Sequence, residues 1–310
     1  MKILFSAVGS IGYPSLIKVL RDEGIGIIGI DADPLAVGFS HVDKSYEVPL
    51  GTSPKFIPKI IEIIEKEKIN AIISNPEEEL LQLSKNKEKI EEKNTILLCP
   101  DFETVEICAY KKKTYKFLNS IGILIPENYS KEAPKFPCVV KPDFGRGGSN
   151  VYYAKNQEEL TFYLKKIKEP IIQEFLQGEE FSVDILADKE GQSLSVIPRI
   201  RLKTESGIST RGITVSNEKI INYCKKIVKE LKIFGPSCIQ CIKSGEKIKF
   251  LEVNTRFGGG SILSIKADQN IIPNLMRLIN NEKPIVSKSF LENLTMNRYY
   301  SEVFYQKEKI

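Results

Sequence analysis

The chain has a single histidine, His41, in 310 residues. A triad that needs an imidazole base is excluded, as is a metal site built on several imidazoles, unless His41 works alone. Long apolar runs are missing as well, and no stretch approaches the ~20 residues that cross a bilayer. Met1 leads straight into an apolar strand with no signal peptide, so the expectation is a cytoplasmic protein without a membrane partner. Cysteines number six and lack regular spacing, which fits a reducing compartment rather than a disulfide framework. Cys238 and Cys241 spell a C-x-x-C, but they sit in the alternating segment 237-SCIQCI-242, where residues three apart face opposite sides. Neither a disulfide nor a zinc clamp closes easily there. The net charge is only +5 and the lysines are scattered over helix surfaces, which argues against a nucleic-acid groove.

What is present is an ordinary globular composition, 42% hydrophobic and 27% charged, in a chain long enough for two or three subdomains. Residues 2-KILFSAVG-9 read as a buried strand, Gly9 and Gly12 flank a turn, and 14-PSLIKVLRDEG-24 is an amphipathic helix. A second strand, 25-IGIIGIDAD-33, ends in Asp31 and Asp33, completing a βαβ unit. The turn lacks the full G-x-G-x-x-G, so a Rossmann-like module without a dinucleotide is expected. Helix 54–68, strand 69–75, helix 77–93 and strand 95–100 continue the alternation. A helix over 103–122 then leads, past Gly122 and Pro126, to a new strand.

Strand 138-CVVKP-142 carries Lys141 inside an apolar run, which costs free energy unless an anion or polar partners receive it. Gly145, Arg146, Gly147, Gly148 and Ser149 follow, a hairpin tip whose backbone N–H groups can approach phosphate oxygens closely. Asp143-Phe144-Gly145 spells a protein-kinase triplet, but no His-Arg-Asp loop accompanies it. Arg199, Arg201 and Lys203 alternate along one strand, and Arg211 follows a Ser/Gly-rich stretch inside a loop expected over 204–212. Three cations on one face repel unless they share an anion, so a polyphosphate is the natural partner. Segment 250-FLEVNTRFGGGS-261 sets Glu252, Asn254 and Arg256 two apart, hence on one face of a strand. A hairpin with 236-PSCIQCI-242 brings Gln240 beside them. Such a face offers oxygen ligands to a hard divalent cation, or it is a polar edge strand; alone it leaves the choice even.

The order of these motifs decides it: strand Lys, glycine loop, Q-E-F-L-x-G-E-E-F-S-V-D, basic strand, then Gln…Glu-x-Asn-x-Arg. The chain resembles the ATP-grasp superfamily, closest to the carbamoyl-phosphate synthetase large-subunit type, over roughly residues 1–280. The resemblance implies an α/β fold, α+β in its second half. A Rossmann-like pre-ATP-grasp domain (1–102) would precede a small subdomain with the glycine-rich loop (103–180) and a C-terminal subdomain with the metal site and tail (181–310). Lys111 and Lys141 would contact ATP phosphates beneath a lid of Gly145, Gly147, Gly148 and Ser149. Tyr110 stands where the family usually has Asp, which leaves Lys112 and Lys113 as alternatives to Lys111. Glu174, Phe175 and Leu176 would form the adenine hinge, and Glu180 would accept from the ribose. Gln240, Glu252 and Asn254 would hold one or two Mg²⁺ ions, or Mn²⁺. Arg256 would stabilise the transferred phosphoryl group, and Arg199, Arg201 and Arg211 would face phosphates or an acidic substrate.

Phosphoryl transfer to a carboxylate needs charge neutralisation and alignment rather than a protein nucleophile, which suits a chain without a His, Cys or Ser candidate. The implied activity is a stand-alone ligase that joins a small carboxylate to an amine through an acyl phosphate. An ATP-binding protein without ligase activity is the competing reading, and an NAD-dependent dehydrogenase is disfavoured by the incomplete glycine turn. The tail 288–310, rich in Tyr and Phe, either packs as an added hairpin or serves an oligomer contact such as a homodimer.

Overall fold

A computed structural model of the chain describes residues 1–145 and 150–304. It opens with β1 (Lys2–Ser6), α1 (Pro14–Asp22), β2 (Gly26–Asp31), β3 (Lys44–Glu47), α2 (Phe56–Glu67), β4 (Ala71–Ile73), α3 (Glu77–Lys85), α4 (Lys87–Glu91) and β5 (Ile96–Leu97). These strands pair in parallel in the order β3-β2-β1-β4-β5. Their apolar runs follow from burial on both faces. Ile3, Phe5 and Ile27 join a core with Phe257, Ile265 and Leu275 from far along the chain. Leu4, Ile28 and Ile30 pack on Phe56, Ile60 and Ile63 of α2. Strand order reverses between β1 and β4, which opens a crevice at their carboxyl ends.

The helix expected over 103–122 is two helices, α5 (Phe102–Ala109) and α6 (Lys111–Ser120). Tyr110 breaks it by turning extended (φ −107°, ψ 115°) and bridging to Phe144, whose ring lies 5.2 Å away. The break makes Lys111 the first residue of α6. Its N–H donates to Asp143 O, and the Lys112 N–H donates to Asp143 Oδ1 at 2.8 Å. Asp143 thus caps a helix some thirty residues earlier in the chain. The helix expected over 77–93 likewise divides at Asn86.

A small sheet follows, from β6 (Asn128–Tyr129), β7 (Cys138–Pro142), β8 (Tyr152–Ala154), α7 (Gln157–Leu164) and β9 (Pro170–Glu174). It is antiparallel, ordered β6-β9-β7-β8, over a core of Cys138, Val140, Leu160 and Ile172. The last part holds β10 (Glu179–Ala187), β11 (Ser193–Glu205), β12 (Ile208–Thr214), α8 (Glu218–Glu230), β13 (Gly235–Ser244), β14 (Lys247–Asn254), α9 (Ser261–Ala267), α10 (Ile271–Ile279) and β15 (Thr295–Asn297). Its sheet is antiparallel, ordered β14-β13-β10-β11-β12-β15. Ile220, Cys224 and Ile227 of α8 cover one face against Phe181, Val183, Ile239 and Phe250. The expected loop at 204–212 is mostly strand. Ser206 (φ 48°) and Gly207 (φ 75°) both adopt the left-handed turn that joins twisted strands tightly. From the tail, β15 adds a single outer strand beside β12. No helix of the described residues is long and apolar enough to cross a membrane.

Candidate active site

A cavity of about 840 Å³ is lined by all three sheets. The open face of the six-stranded sheet supplies its longest wall. Glu252 pairs with Gln240, Gln240 with Ser182, and Ser182 with Arg199, so four adjacent strands each give one polar side chain to a single row. Strands stand ~4.8 Å apart, which makes the row roughly 14 Å long. All four residues line the cavity. The Gln240–Glu252 pairing is the one expected from the alternating patterns.

Two lysines from other elements converge on the Glu252 end. Lys141, on β7, is 6% exposed and lines the cavity; its ammonium lies 5.6 Å from the centre of the Tyr115 ring. Lys111 is equally buried, and its Nζ lies 4.0 Å from Glu252 Oε1 while donating to Gly145 O at 3.1 Å. Burial pushes both ammonium groups below the ordinary lysine value, partly offset by the Glu252 charge. Lys112 is exposed, and Lys113 pairs with Glu106 at 2.7 Å. Of the three lysines, the structure brings Lys111 to Glu252.

The arginines are held differently. Arg199, 1% exposed, donates from Nε to Asp184 Oδ2 at 2.6 Å, and Asp184 also accepts from Ser261 and Ser264. Arg201 pairs with Glu180 and donates to Gly207 O, whereas Lys203 pairs with Glu205. Each cation of this basic strand thus has its own carboxylate: Asp184, Glu180 and Glu205. Arg256 binds Glu77 Oε1 through Nε and Nη2 at 3.2 and 3.0 Å, joining segments 179 residues apart in the chain. Burial lowers the guanidinium pKa, but the Glu77 charge outweighs it and the group is held charged. One nitrogen of Arg199, Nη1, is buried without a hydrogen-bond partner among the described residues. It lies beside Gly260, where an added Cβ would come within 2.6 Å of it.

Glu174, Phe175, Leu176 and Glu180 line the cavity at the junction of β9 and β10. The Glu174 carboxylate accepts from Lys249 and from the Glu127 N–H, so it ties the hinge in place. Burial raises its pKa, yet these donors bring it below the usual carboxylate range.

Four expected residues do not line the cavity: Lys111 and Gly145, which meet each other behind Glu252, and Arg211 and Asn254. Arg211 is exposed on β12, where it pairs with Lys203 in register and Asn297 Oδ1 accepts from its Nε–H at 2.7 Å. Asn254, two pairs beyond Glu252, donates to Cys238 O and lies along a narrow cleft with Glu77, Val105 and Cys108. Gly147, Gly148 and Ser149 lie outside the described residues. Cys238 lines the cavity, while Cys241 pairs with Phe181 and Phe250 on the opposite face. Burial pushes both thiols up to about 12, so neither is a thiolate at neutral pH. Among the described residues, no group of three His, Cys, Asp or Glu side chains is placed to hold a metal ion. Glu252 and Gln240 remain as two oxygen donors on adjacent strands, a donor type that fits a hard divalent cation.

Some cavity residues had been given no role. Ser182 lines the cavity and alternates with Asp184 within F-S-V-D, a pattern that marks their face. Asn75, just after β4, and Asp31, at the end of β2, sit at strand carboxyl ends beside the order reversal, where an α/β sheet binds ligands. Arg298 donates to Ile11 O, Gly259 O and Ser209 O, fastening three segments around the cavity.

Residues 108–260 match the model of the ATP-grasp domain, and residues 3–98 match that of the PylC-like N-terminal domain. The carbamoyl phosphate synthase large chain of Clostridium perfringens is 29% identical over 270 residues, covering 77% of this chain but 24% of that protein. The chain thus spans about a quarter of the length of that relative. The carbamoyl-phosphate synthase of Methanobrevibacter smithii is 27% identical over 288 residues, covering 85% of this chain and 76% of its own. Among solved structures, the biotin carboxylase domain of Hydrogenobacter thermophilus 2-oxoglutarate carboxylase, crystallised with MgADP and bicarbonate, superimposes with a TM-score of 0.71. It is 16% identical and covers 91% of this chain and 70% of that one. The chain belongs to the ATP-grasp superfamily and carries a PylC-like N-terminal domain ahead of its ATP-grasp domain.

Proposed function

We propose that the chain is an ATP-dependent ligase that activates a small carboxylic acid as its acyl phosphate and joins it to an amine. The observation that carries this reading is the row Glu252–Gln240–Ser182–Arg199 with Lys141 and Lys111 at one end, in a cavity whose other contacts are the hinge residues 174–176. The lysines are buried, lowered in pKa by that burial and offset mainly by Glu252, so a triphosphate is the anion they are built to receive. Glu252 and Gln240 would hold Mg²⁺, which supplies charge neutralisation on the phosphate oxygens when bound. Phe175 and Leu176 offer the adenine pocket at the hinge. Arg256, braced by Glu77, stabilises charge on the transferred group.

In the reaction a carboxylate oxygen attacks the γ-phosphorus, the P–O bond to ADP breaks, and the acyl phosphate forms. An amine then attacks the acyl carbon, phosphate leaves with the bonding pair, and the amine nitrogen gives up a proton. A cavity walled by three sheets limits the paths by which water reaches the acyl phosphate. The test is phosphate release from ATP across a panel of carboxylates and amines. Release that requires one acid supports the reading. Tight ATP binding with no acid-dependent release across the panel favours a nucleotide-binding protein instead.

A further inference from the structure

The ligase reading leaves the N-terminal end of the cavity without a task, yet the side chains there are arranged for one. Asn75 is 2% exposed and lines the cavity at the carboxyl end of β4. Its Nδ2 donates to Ser6 O at 3.0 Å, and its backbone N–H donates to Ser6 Oγ at 3.1 Å. The amide orientation is thereby set, because only Nδ2 can donate to a carbonyl. Oδ1 is left buried with no hydrogen-bond partner among the described residues. A buried acceptor without a donor is costly in a finished fold, so such an atom marks a place where a ligand completes the structure.

Its surroundings specify the ligand's charge. Asp31 and Asp33 line the same cavity from the end of β2. Asp31 accepts from the N–H groups of Gly9 and Asp33, at 2.8 and 2.9 Å, which fixes its carboxylate and leaves it further acceptor sites. The crevice lies between β1 and β4, where strand order reverses. An unpartnered acceptor in a cavity that two carboxylates also line selects an N–H donor of positive charge. Across the cavity, the unpartnered Nη1 of Arg199 selects the opposite sign.

We propose that Asn75 Oδ1, with Asp31 and Asp33, forms a subsite for a primary amine or ammonium group of the ligase's substrates. The assignment rests on the ligase reading above. Two sources share this chemistry: an amino group on the acid that is activated, or the amine that attacks the acyl phosphate.

The experiment uses the full chain, MgATP and hydroxylamine, which traps an acyl phosphate as a hydroxamate with release of phosphate. L-Amino acids are compared with their deaminated counterparts, and primary amines are then substituted for hydroxylamine. Asn75→Ala is expected to raise one KM, for the amino acid or for the amine, by ~10-fold or more while the thermal shift with MgATP is unchanged. A rise in the acid's KM, with deaminated acids poor in the wild type, assigns the subsite to the acid. A rise in the amine's KM alone assigns it to the nucleophile. Asn75→Asp, which keeps an acceptor oxygen in place, restores the KM that Asn75→Ala raises. Hydroxamate formation with both KM values within twofold of wild type in Asn75→Ala overturns this assignment and leaves the ligase reading standing. No hydroxamate from any acid in the wild type overturns both.

Discussion

Two groups of buried or half-buried cations lie at or next to the cavity, and their charges are met in different ways. Arg199, Arg201 and Arg256 each have a dedicated carboxylate: Asp184, Glu180 and Glu77. Lys111 and Lys141 share one, Glu252, which lies 4.0 Å from the nearer ammonium. Guanidinium groups paired in this way are braced in the cavity wall, which leaves a nitrogen such as Arg199 Nη1 to bind a ligand. Lysines that lack such partners titrate more readily and await an anion. The contrast separates what holds the cavity open from what receives the nucleotide.

The most severe way to disturb the lysine group is to remove the anion between them. Glu252→Ala is expected to lower ATP turnover by ~10³-fold or more with the fold retained, read by phosphate release and circular dichroism. Turnover near wild type in that variant would remove Glu252 from the site. The scaffold group responds through stability instead. Arg199→Ala strands the Asp184 carboxylate and should cost about 3–5 kcal/mol in a denaturant titration. Lys141→Met should leave stability unchanged or slightly higher, because it relieves a desolvated charge, while weakening MgATP binding by ~10-fold or more. Equal destabilisation by the two substitutions would erase the distinction.

A pH series sharpens the comparison further. The lysine pKa values in the folded chain lie below their unfolded values, so between the two the unfolded state binds more protons and stability rises with pH. A triphosphate favours the charged lysines, so its affinity falls as pH rises through the folded-state value. Calorimetry in two buffers of different ionisation enthalpy, at a pH between the folded-state and ordinary lysine values, should register proton uptake when MgATP binds. The smallest effect is expected at Lys113, whose partner Glu106 lies away from the cavity: Lys113→Ala should change ATP affinity less than twofold, whereas Lys111→Ala resembles Lys141→Met.

Local pattern carried much of this site. Alternation in 236–242 and 250–256 identified the strands and placed Gln240 beside Glu252, because two-residue periodicity and a short turn set the register. Lys141 stood out as a charge in an apolar strand. What local pattern could not carry were contacts between distant segments. Helical periodicity runs unbroken through Tyr110, and its interruption depends on Phe144 and Asp143, more than thirty residues later. The carboxylates that claim Arg201 and Arg256 lie 21 and 179 residues away in the chain. Asn254 and Arg211 satisfied the residue pattern, yet each side chain is taken up by a neighbour, Cys238 O and Asn297. Residue type and face were readable, while which face residues remain free for a ligand is a property of tertiary pairing.

The central claim is that this cavity receives MgATP on Lys111, Lys141 and the Glu252 row. Its most direct measurement is the thermal shift of wild type and Lys141→Met with MgATP and, separately, with NAD. The account predicts that MgATP raises the wild-type melting temperature, that Lys141→Met loses most of that rise, and that NAD does nothing. Stabilisation by NAD without stabilisation by MgATP would contradict it.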